Sequence, residues 1–219
     1  MKHFLRSLLI FAFCAMPVIA MAQPESCNVK VAGSKVTIKD FARAYCSQCE
    51  QNSFETQALA AINKGNSKRC VVDKKNGYVK YSDKQDGITE ILEMTFWNSD
   101  DKNEKLVAVN RVSNSTTGYD ESFLYFYRYD VKTKEMKLID LPFDREPQPV
   151  DMLSKKASEK VTEQVKSAKN EDANKYMPCY QLPRAGKDIT FRMADPTAVA
   201  KTMQRTGTMK WNGSSFKIK

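Results

Sequence analysis

Cysteine is the residue type in this chain that is best able to carry chemistry or to cross-link the fold. The sequence has six cysteines, and five of them lie beyond residue 22. Because five is odd, two disulfides would leave one thiol, and five choices of leftover thiol times three pairings make fifteen arrangements. The sequence does not choose among them. The disulfide candidates are Cys27, Cys46, Cys49, Cys70 and Cys179.

One pair of these cysteines forms a C-x-x-C motif. The stretch from Phe41 to Cys49 resembles, over about ten residues, the approach to a thioredoxin active site, and this resemblance implies thiol–disulfide exchange. In thioredoxins the motif follows a long buried strand and opens a helix, whose dipole lowers the pKa of the first thiol. Here only Lys35 to Ile38 precedes it as a strand, and a helix from about Asp40 would place Cys46 in its second turn. Disulfide cross-linking is therefore the main interpretation, and a redox protein using Cys46 and Cys49 is the alternative.

Histidine supplies the clearest exclusion. The only histidine is His3, so the chain beyond residue 22 has no imidazole base, no Ser-His or Cys-His nucleophile pair and no histidine metal ligand. A zinc site made of four of the cysteines would have one C-x-x-C knuckle where strong signatures have two. We therefore predict no metal and no cofactor, and an enzyme is the less favoured interpretation. Carboxylate-dependent hydrolysis stays open.

The N-terminus has the three parts of a secretory signal peptide. Lys2 and Arg6 form a positive segment, residues 8–16 are apolar, and Ala20-Met21-Ala22 is a small-x-small cleavage site. The apolar run is shorter than the roughly 20 residues that span a bilayer. The sequence thus predicts a signal peptide over 1–22, an exported protein in the periplasm or outside the cell, and no membrane span. Disulfides persist in such compartments.

The most unusual stretch is the aromatic run from Phe123 to Tyr129. As a strand it places Tyr125, Tyr127 and Tyr129 on one face and Phe126 on the other, so both faces are apolar. One interpretation is a central strand buried on both sides. The other is that the tyrosine face, with an aromatic from a neighbouring strand, is an exposed platform on which sugar rings or a partner's apolar residues stack. The candidate ligand-binding residues are Trp97, Tyr125, Tyr127 and Tyr129.

Turn signals and alternating apolar residues predict the element that must position those aromatics. The Asn76-Gly77 pair indicates a hairpin, and short polar connectors between the later strands permit only antiparallel neighbours. The centre of the chain is therefore predicted to be a meander. Its strands are Cys70 to Asp73, Tyr78 to Ser82, Ile88 to Trp97, Lys105 to Val112, Ser122 to Asp130 and Met136 to Leu141.

Helices are predicted on both sides of the meander in sequence. The first runs from about Asp40 to Gln51, and Asn52 caps a second that ends at Lys64. Apolar residues at spacings of three and four predict one amphipathic helix over residues 151–169. A strand at 188–193 and a hairpin across Asn212-Gly213 (208–211 with 216–219) follow. The fold class is α+β: an antiparallel meander sheet with two N-terminal helices and one later amphipathic helix packed on it.

The net charge and the domain organisation bear on the possible partners of the chain. The net charge is +9, and loss of Lys2 and Arg6 would leave 9 − 2 = +7. Because the lysines are interleaved with acids along the chain, they give no specific nucleic-acid signal. We expect one α+β domain over 23–219, with the proline-rich segment 142–149 as a point where it could divide. The chain is similar to small exported proteins of unknown function from Gram-negative bacteria, and the predicted function is non-catalytic binding of a glycan or protein partner.

Overall fold

A curled antiparallel sheet of seven strands forms the centre of the protein in this computed structural model, which describes residues 26–30, 35–49, 52–114 and 119–219. Strands β2 to β7 follow each other as neighbours, so the predicted meander is confirmed. The additional strand β1 pairs with β7 at the edge and was not predicted, because three residues carry no alternation signal. The strands are β1 Ser26–Asn28, β2 Cys70–Asp73, β3 Tyr78–Gln85, β4 Ile88–Asn98, β5 Glu104–Asn114, β6 Asp120–Asp130 and β7 Glu135–Ile139.

The N-terminal helices cover one face of this sheet. Helix α1 is Ile38–Ala44, a π turn over Tyr45–Cys49 continues it, and helix α2 is Ser53–Lys64, capped by the Asn52 side chain as predicted. The predicted strand at 35–38 is wrong, because Thr37 caps α1 through hydrogen bonds from its amide and hydroxyl to the Asp40 carboxylate. Phe41, Leu92 and Tyr127 belong to the cluster that fills this face.

A second, four-stranded antiparallel sheet lies over the opposite face. Its strands are β8 Pro178–Gln181, β9 Ile189–Met193, β10 Gly207–Trp211 and β11 Phe216–Ile218, in the order β11-β10-β9-β8. The predicted strand near 188–193 and the closing hairpin are confirmed, whereas β8 was not predicted. A second apolar cluster, which includes Trp97, Phe126 and Phe216, fills the space between the sheets. Each face of the seven-stranded sheet therefore carries a buried apolar cluster.

The later helix is shorter than predicted. Helix α3 is Glu159–Ser167, capped by the Ser158 hydroxyl, and α4 is Glu171–Asn174. Residues 149–152 form a separate 3₁₀ turn. The Asp151 carboxylate accepts hydrogen bonds from the Arg145 guanidinium and the Gln148 amide, and these bonds fix the turn apart from α3. Val165 carries the apolar side of α3 into the second cluster. The described residues thus contain four short α-helices and are mostly sheet.

Two expectations about the whole chain are not tested by this arrangement. The predicted signal peptide over 1–22 lies outside the described residues, and the single domain over 23–219 stays a prediction. Within the described ranges, the structure contains no helix of sufficient length and apolarity to cross a bilayer.

Candidate functional site

Four of the five cysteines beyond residue 22 lie on the helical face of the large sheet, and the fifth, Cys179, lies on β8 of the second sheet. A disulfide joins Cys27 on β1 to Cys49 in the π turn, with the Cα atoms 5.4 Å apart. The odd cysteine count had suggested two bridges and one thiol, but the structure has one bridge and three buried thiols among these five residues. The thiols belong to Cys46, Cys70 and Cys179.

Cys46, the first residue of the C-x-x-C motif, is not bonded to Cys49 in this structure. Burial raises the pKa of the Cys46 thiol to about 12, and the nearby Glu55 carboxylate contributes in the same direction. At pH 7 a thiol with that pKa has a thiolate fraction of only about one in 10⁵, and the thiolate is the nucleophile in disulfide exchange. The redox function stays a prediction, and the environment of Cys46 does not favour it.

The four predicted ligand-binding aromatics do not share one face. Trp97 is buried between the two sheets, where its indole N–H donates to the Lys187 carbonyl at 2.9 Å. Tyr127 and Tyr129 are buried against the helices on the other face. Tyr125 is half-buried, and it is the one of the four that lines an open cavity. A ligand-binding role for the other three stays a prediction.

That cavity exists because β6 is longer than its neighbour β7. Only Phe126 to Tyr129 of β6 pair with β7, although β6 begins at Asp120. After Ile139 the chain leaves the large sheet and reaches the second one, where Phe143 forms a bridge to Phe216 and the Phe216 amide donates to the Pro142 carbonyl at 2.7 Å. The first half of β6 is thereby left at an open edge.

We call the space beside this edge the β6 groove. It measures about 460 Å³ and lies between the 141–147 segment and the 174–180 segment. Four large apolar side chains among the described residues are exposed, and three of them, Phe123, Leu141 and Met177, line this groove. Tyrosines supply the other rings, which belong to Tyr119, Tyr125 and Tyr180.

Strand β8 positions one wall of the groove through a buried polar network. The Glu93 carboxylate accepts hydrogen bonds from the Tyr78 hydroxyl at 2.8 Å and the Leu182 amide at 3.2 Å. The Asn110 side-chain amide donates to the Tyr180 carbonyl at 2.8 Å, and the Tyr180 amide donates to the Ser122 hydroxyl at 3.1 Å. The two Glu93 hydrogen bonds are buried and the two Tyr180 hydrogen bonds are part-buried, so breaking them would leave polar groups of Glu93 and Asn110 unsatisfied in the interior, and this holds the wall in place.

The groove is acidic although the chain is basic. Its lining includes Asp120, Glu121 and Glu146, and none of the described residues that line it is Lys, Arg or His. Asp120 is held by an ion pair with Arg192 and a hydrogen bond from Asn114, whereas Glu121 and Glu146 form no ion pair within the described ranges. Burial raises the pKa of the Tyr180 hydroxyl, and Glu146 adds to that shift, so this phenol is neutral at pH 7.

The described residues contain no group of three or more Cys, His, Asp or Glu side chains placed to hold a metal ion. Comparison with known proteins identifies no relative: no protein family, curated protein or solved structure matches this chain. The β6 groove combines volume and aromatic lining with three of the four exposed large apolar side chains of the described residues.

Proposed function

We propose that this chain is an exported, non-catalytic binding domain and that the β6 groove is its ligand site. The observation that supports this proposal is the convergence of three exposed apolar side chains, Phe123, Leu141 and Met177, on one groove. An isolated exposed apolar residue is common on protein surfaces, but a contiguous apolar cavity bounded by polar groups is typical of a ligand or partner site.

The frame around the groove also supports binding. Two of its walls are secondary-structure elements, β6 and β8, and their relative position is held by the Ser122, Asn110 and Glu93 hydrogen bonds. Sites built on strands hold their geometry better than sites built on loops alone. The Cys27–Cys49 disulfide is of the kind that persists in an oxidising compartment, which agrees with export.

Retention on a glycan array and on a peptide array tests this function. The test variant is Phe123→Ser with Met177→Ser, which removes two apolar walls while retaining the β6 ladder. The matched control is Val131→Ser, because Val131 is the fourth exposed apolar side chain and does not line the groove. We expect the groove variant to lose at least about tenfold in retention and the control to retain the wild-type level. Equal retention by all three proteins on both arrays would refute the proposal.

A further inference from the structure

The edge of β6 beside the groove has its main-chain hydrogen-bonding groups directed outward. The Val131 amide donates to the Asn103 carbonyl at 2.8 Å, and β5 pairs with β6 in the register Glu104 to Asp130. In an antiparallel pair, successive residues direct their N–H and C=O groups alternately toward and away from the partner strand. Odd-numbered residues of β6 therefore bond to β5, and even-numbered residues direct these groups to the other side.

Two residues on the open half of β6 follow this second pattern. Ser122 and Leu124 direct their N–H and C=O groups away from β5, and no strand pairs with them among the described residues. Asp120 has the same parity, and its amide is taken up by the Ala194 carbonyl at 3.1 Å. Ser122 and Leu124 thus leave two donors and two acceptors along the groove.

The opposite edge of the sheet shows how this protein covers such groups. On β2 the Val72 amide donates to the Asn66 side chain at 2.6 Å, and the Cys70 amide donates to the Ser67 hydroxyl at 3.1 Å. The Cys70 carbonyl accepts from the Ser67 amide at 2.8 Å. Edge strands with uncovered groups pair readily with other chains, so proteins cover them unless pairing is their use.

We infer that the β6 groove binds an extended peptide segment with apolar and cationic side chains, which adds to β6 as a strand opposite Ser122 and Leu124. This inference rests on the proposed function and names its ligand class. Strand addition satisfies the outward N–H and C=O groups with main-chain hydrogen bonds, and alternate side chains reach the walls. The open half of β6 has six residues, which is a length of roughly 20 Å at about 3.4 Å per residue.

The charges decide which side chains the peptide carries. Glu121 and Glu146 line the groove and form no ion pair in the described part of the chain, and no described Lys, Arg or His shares the lining. An acidic peptide or an anionic glycan would be repelled by these carboxylates, whereas Lys or Arg side chains would be attracted to them. Phe123, Leu141 and Met177 offer apolar contacts to the remaining side chains.

Peptides with a defined methylation pattern test strand addition directly. The probe is a capped ten-residue peptide of alternating valine and lysine, measured by titration calorimetry, with the valine–glutamate counterpart as the charge control. N-methylation of alternate amides blocks one edge of the peptide strand and leaves the other edge free. We expect one methylated series to bind at least about tenfold more weakly than the other, because only one edge pairs with β6.

Two variants of Ser122 test the main-chain hydrogen bonds from the side of the protein. Ser122→Pro and Ser122→Ala both remove the hydroxyl, but only proline also removes the outward N–H, and proline is tolerated on an edge strand. We expect Ser122→Pro to bind the probe several-fold more weakly than Ser122→Ala at equal thermal stability. Amide hydrogen exchange gives a second readout that does not depend on these variants: saturating peptide should slow exchange at Ser122 and Leu124.

The outcomes separate this inference from the proposed function. No binding of the valine–lysine peptide at about 1 mM, or equal binding of both methylated series, would overturn strand addition. Groove-dependent retention of glycans without peptide binding would overturn the peptide inference and leave the binding function in place. If the groove variant and the wild type are retained equally on the glycan and peptide arrays, both the peptide inference and the proposed binding function are overturned.

Discussion

The ion pair between Arg111 and Glu55 allows a sharp test of how α2 is held on the sheet. Arg111 lies on β5 and is 5 % exposed, and Glu55 in the first turn of α2 is fully buried. The guanidinium also lies 4.7 Å from the centroid of the Phe54 ring and 3.7 Å from a Glu90 oxygen. Arg111→Met would retain most of the apolar length of the side chain and remove the charge that pairs with Glu55.

The expected decrease in the free energy of unfolding follows from the burial of the Arg111–Glu55 pair. Removing one partner of a buried pair costs about 3–5 kcal/mol, because the other charge stays in the protein interior without compensation. Whole domains unfold with about 5–15 kcal/mol, so this one change would remove a large part of the stability. With a urea m-value of about 2.5 kcal/mol/M, a loss of 4 kcal/mol corresponds to a midpoint lower by about 1.6 M.

Urea unfolding followed by tryptophan fluorescence, with the disulfide intact at pH 7, measures this shift. The control is Arg128→Met, because the Arg128–Glu104 pair joins an exposed arginine to a half-buried glutamate at 3.5 Å, and such surface pairs contribute less than about 1 kcal/mol. The double variant Arg111→Met with Glu55→Leu should recover most of the loss, since no unpaired charge remains. Equal midpoints for Arg111→Met and Arg128→Met would refute the reasoning.

Three further predictions concern packing in the second sheet, the pH dependence of the free energy of unfolding below pH 5, and the free thiols. In β10, Gly207→Ala should cost about 1–3 kcal/mol in thermal or urea unfolding, because its Cβ would overlap the buried Phe191 ring; an unchanged melting temperature would contradict this packing. Hydrogen bonds from Arg145 lower the pKa of Asp151, so this carboxylate stabilises the fold above its ordinary pKa near 3.9 and loses that effect as pH falls toward the lower folded value. The stability difference between wild type and Asp151→Asn should therefore shrink from pH 5 to pH 3, and a constant difference would count against the pair. Alkylation of the unfolded, unreduced protein should label, among the cysteines beyond residue 22, only Cys46, Cys70 and Cys179.

Local signals predicted the elements that depend on local chemistry. The Asn76-Gly77 turn occurs where β2 and β3 meet, with Gly77 at φ +67°, a conformation that favours glycine. The Asn52 cap also lies where the sequence placed it, with its side chain accepting from the Phe54 amide at 2.9 Å. Short polar connectors excluded parallel neighbours, so the order of six strands followed from connector length alone.

Features that depend on contacts between distant segments could not be read in the same way. The partner of Cys49 is 22 residues away, and spacing carries no information about which of the cysteines it meets. Glu55 had a local explanation as the third residue of a capped helix, and its contact with Arg111 spans 56 positions. Strand β8 begins with proline and has four residues, so neither alternation nor composition indicated it.

The groove was partly visible in the sequence as a mismatch of strand lengths. The predicted strand from Ser122 to Asp130 has nine residues, and the next one has six, so a meander of these two must leave part of the longer strand without a partner. The proline-rich segment from Pro142 to Pro149 then prevents the shorter strand from continuing along the edge, because proline cannot donate to a ladder. The sequence did not indicate which strand this segment contacts. In the structure Phe143 forms a bridge to Phe216 on β11 of the second sheet.

The contact between this segment and β11 explains why the first half of β6 has no described partner strand on the side away from β5 and why Leu141 lines the groove. Because the Phe143 ring packs against Phe216 and against Phe126 in the half of β6 that pairs with β7, the chain after β7 is held away from the first half of β6. Leu141 remains at the wall of the groove. Moving the segment back to pair with Ser122 would expose the partly buried Phe143 ring, at a cost below the about 1.5–3 kcal/mol of a fully buried side chain. Closing this edge with the 140–147 segment would therefore carry that cost, whereas the proposed peptide strand would pair with Ser122 and Leu124 without it.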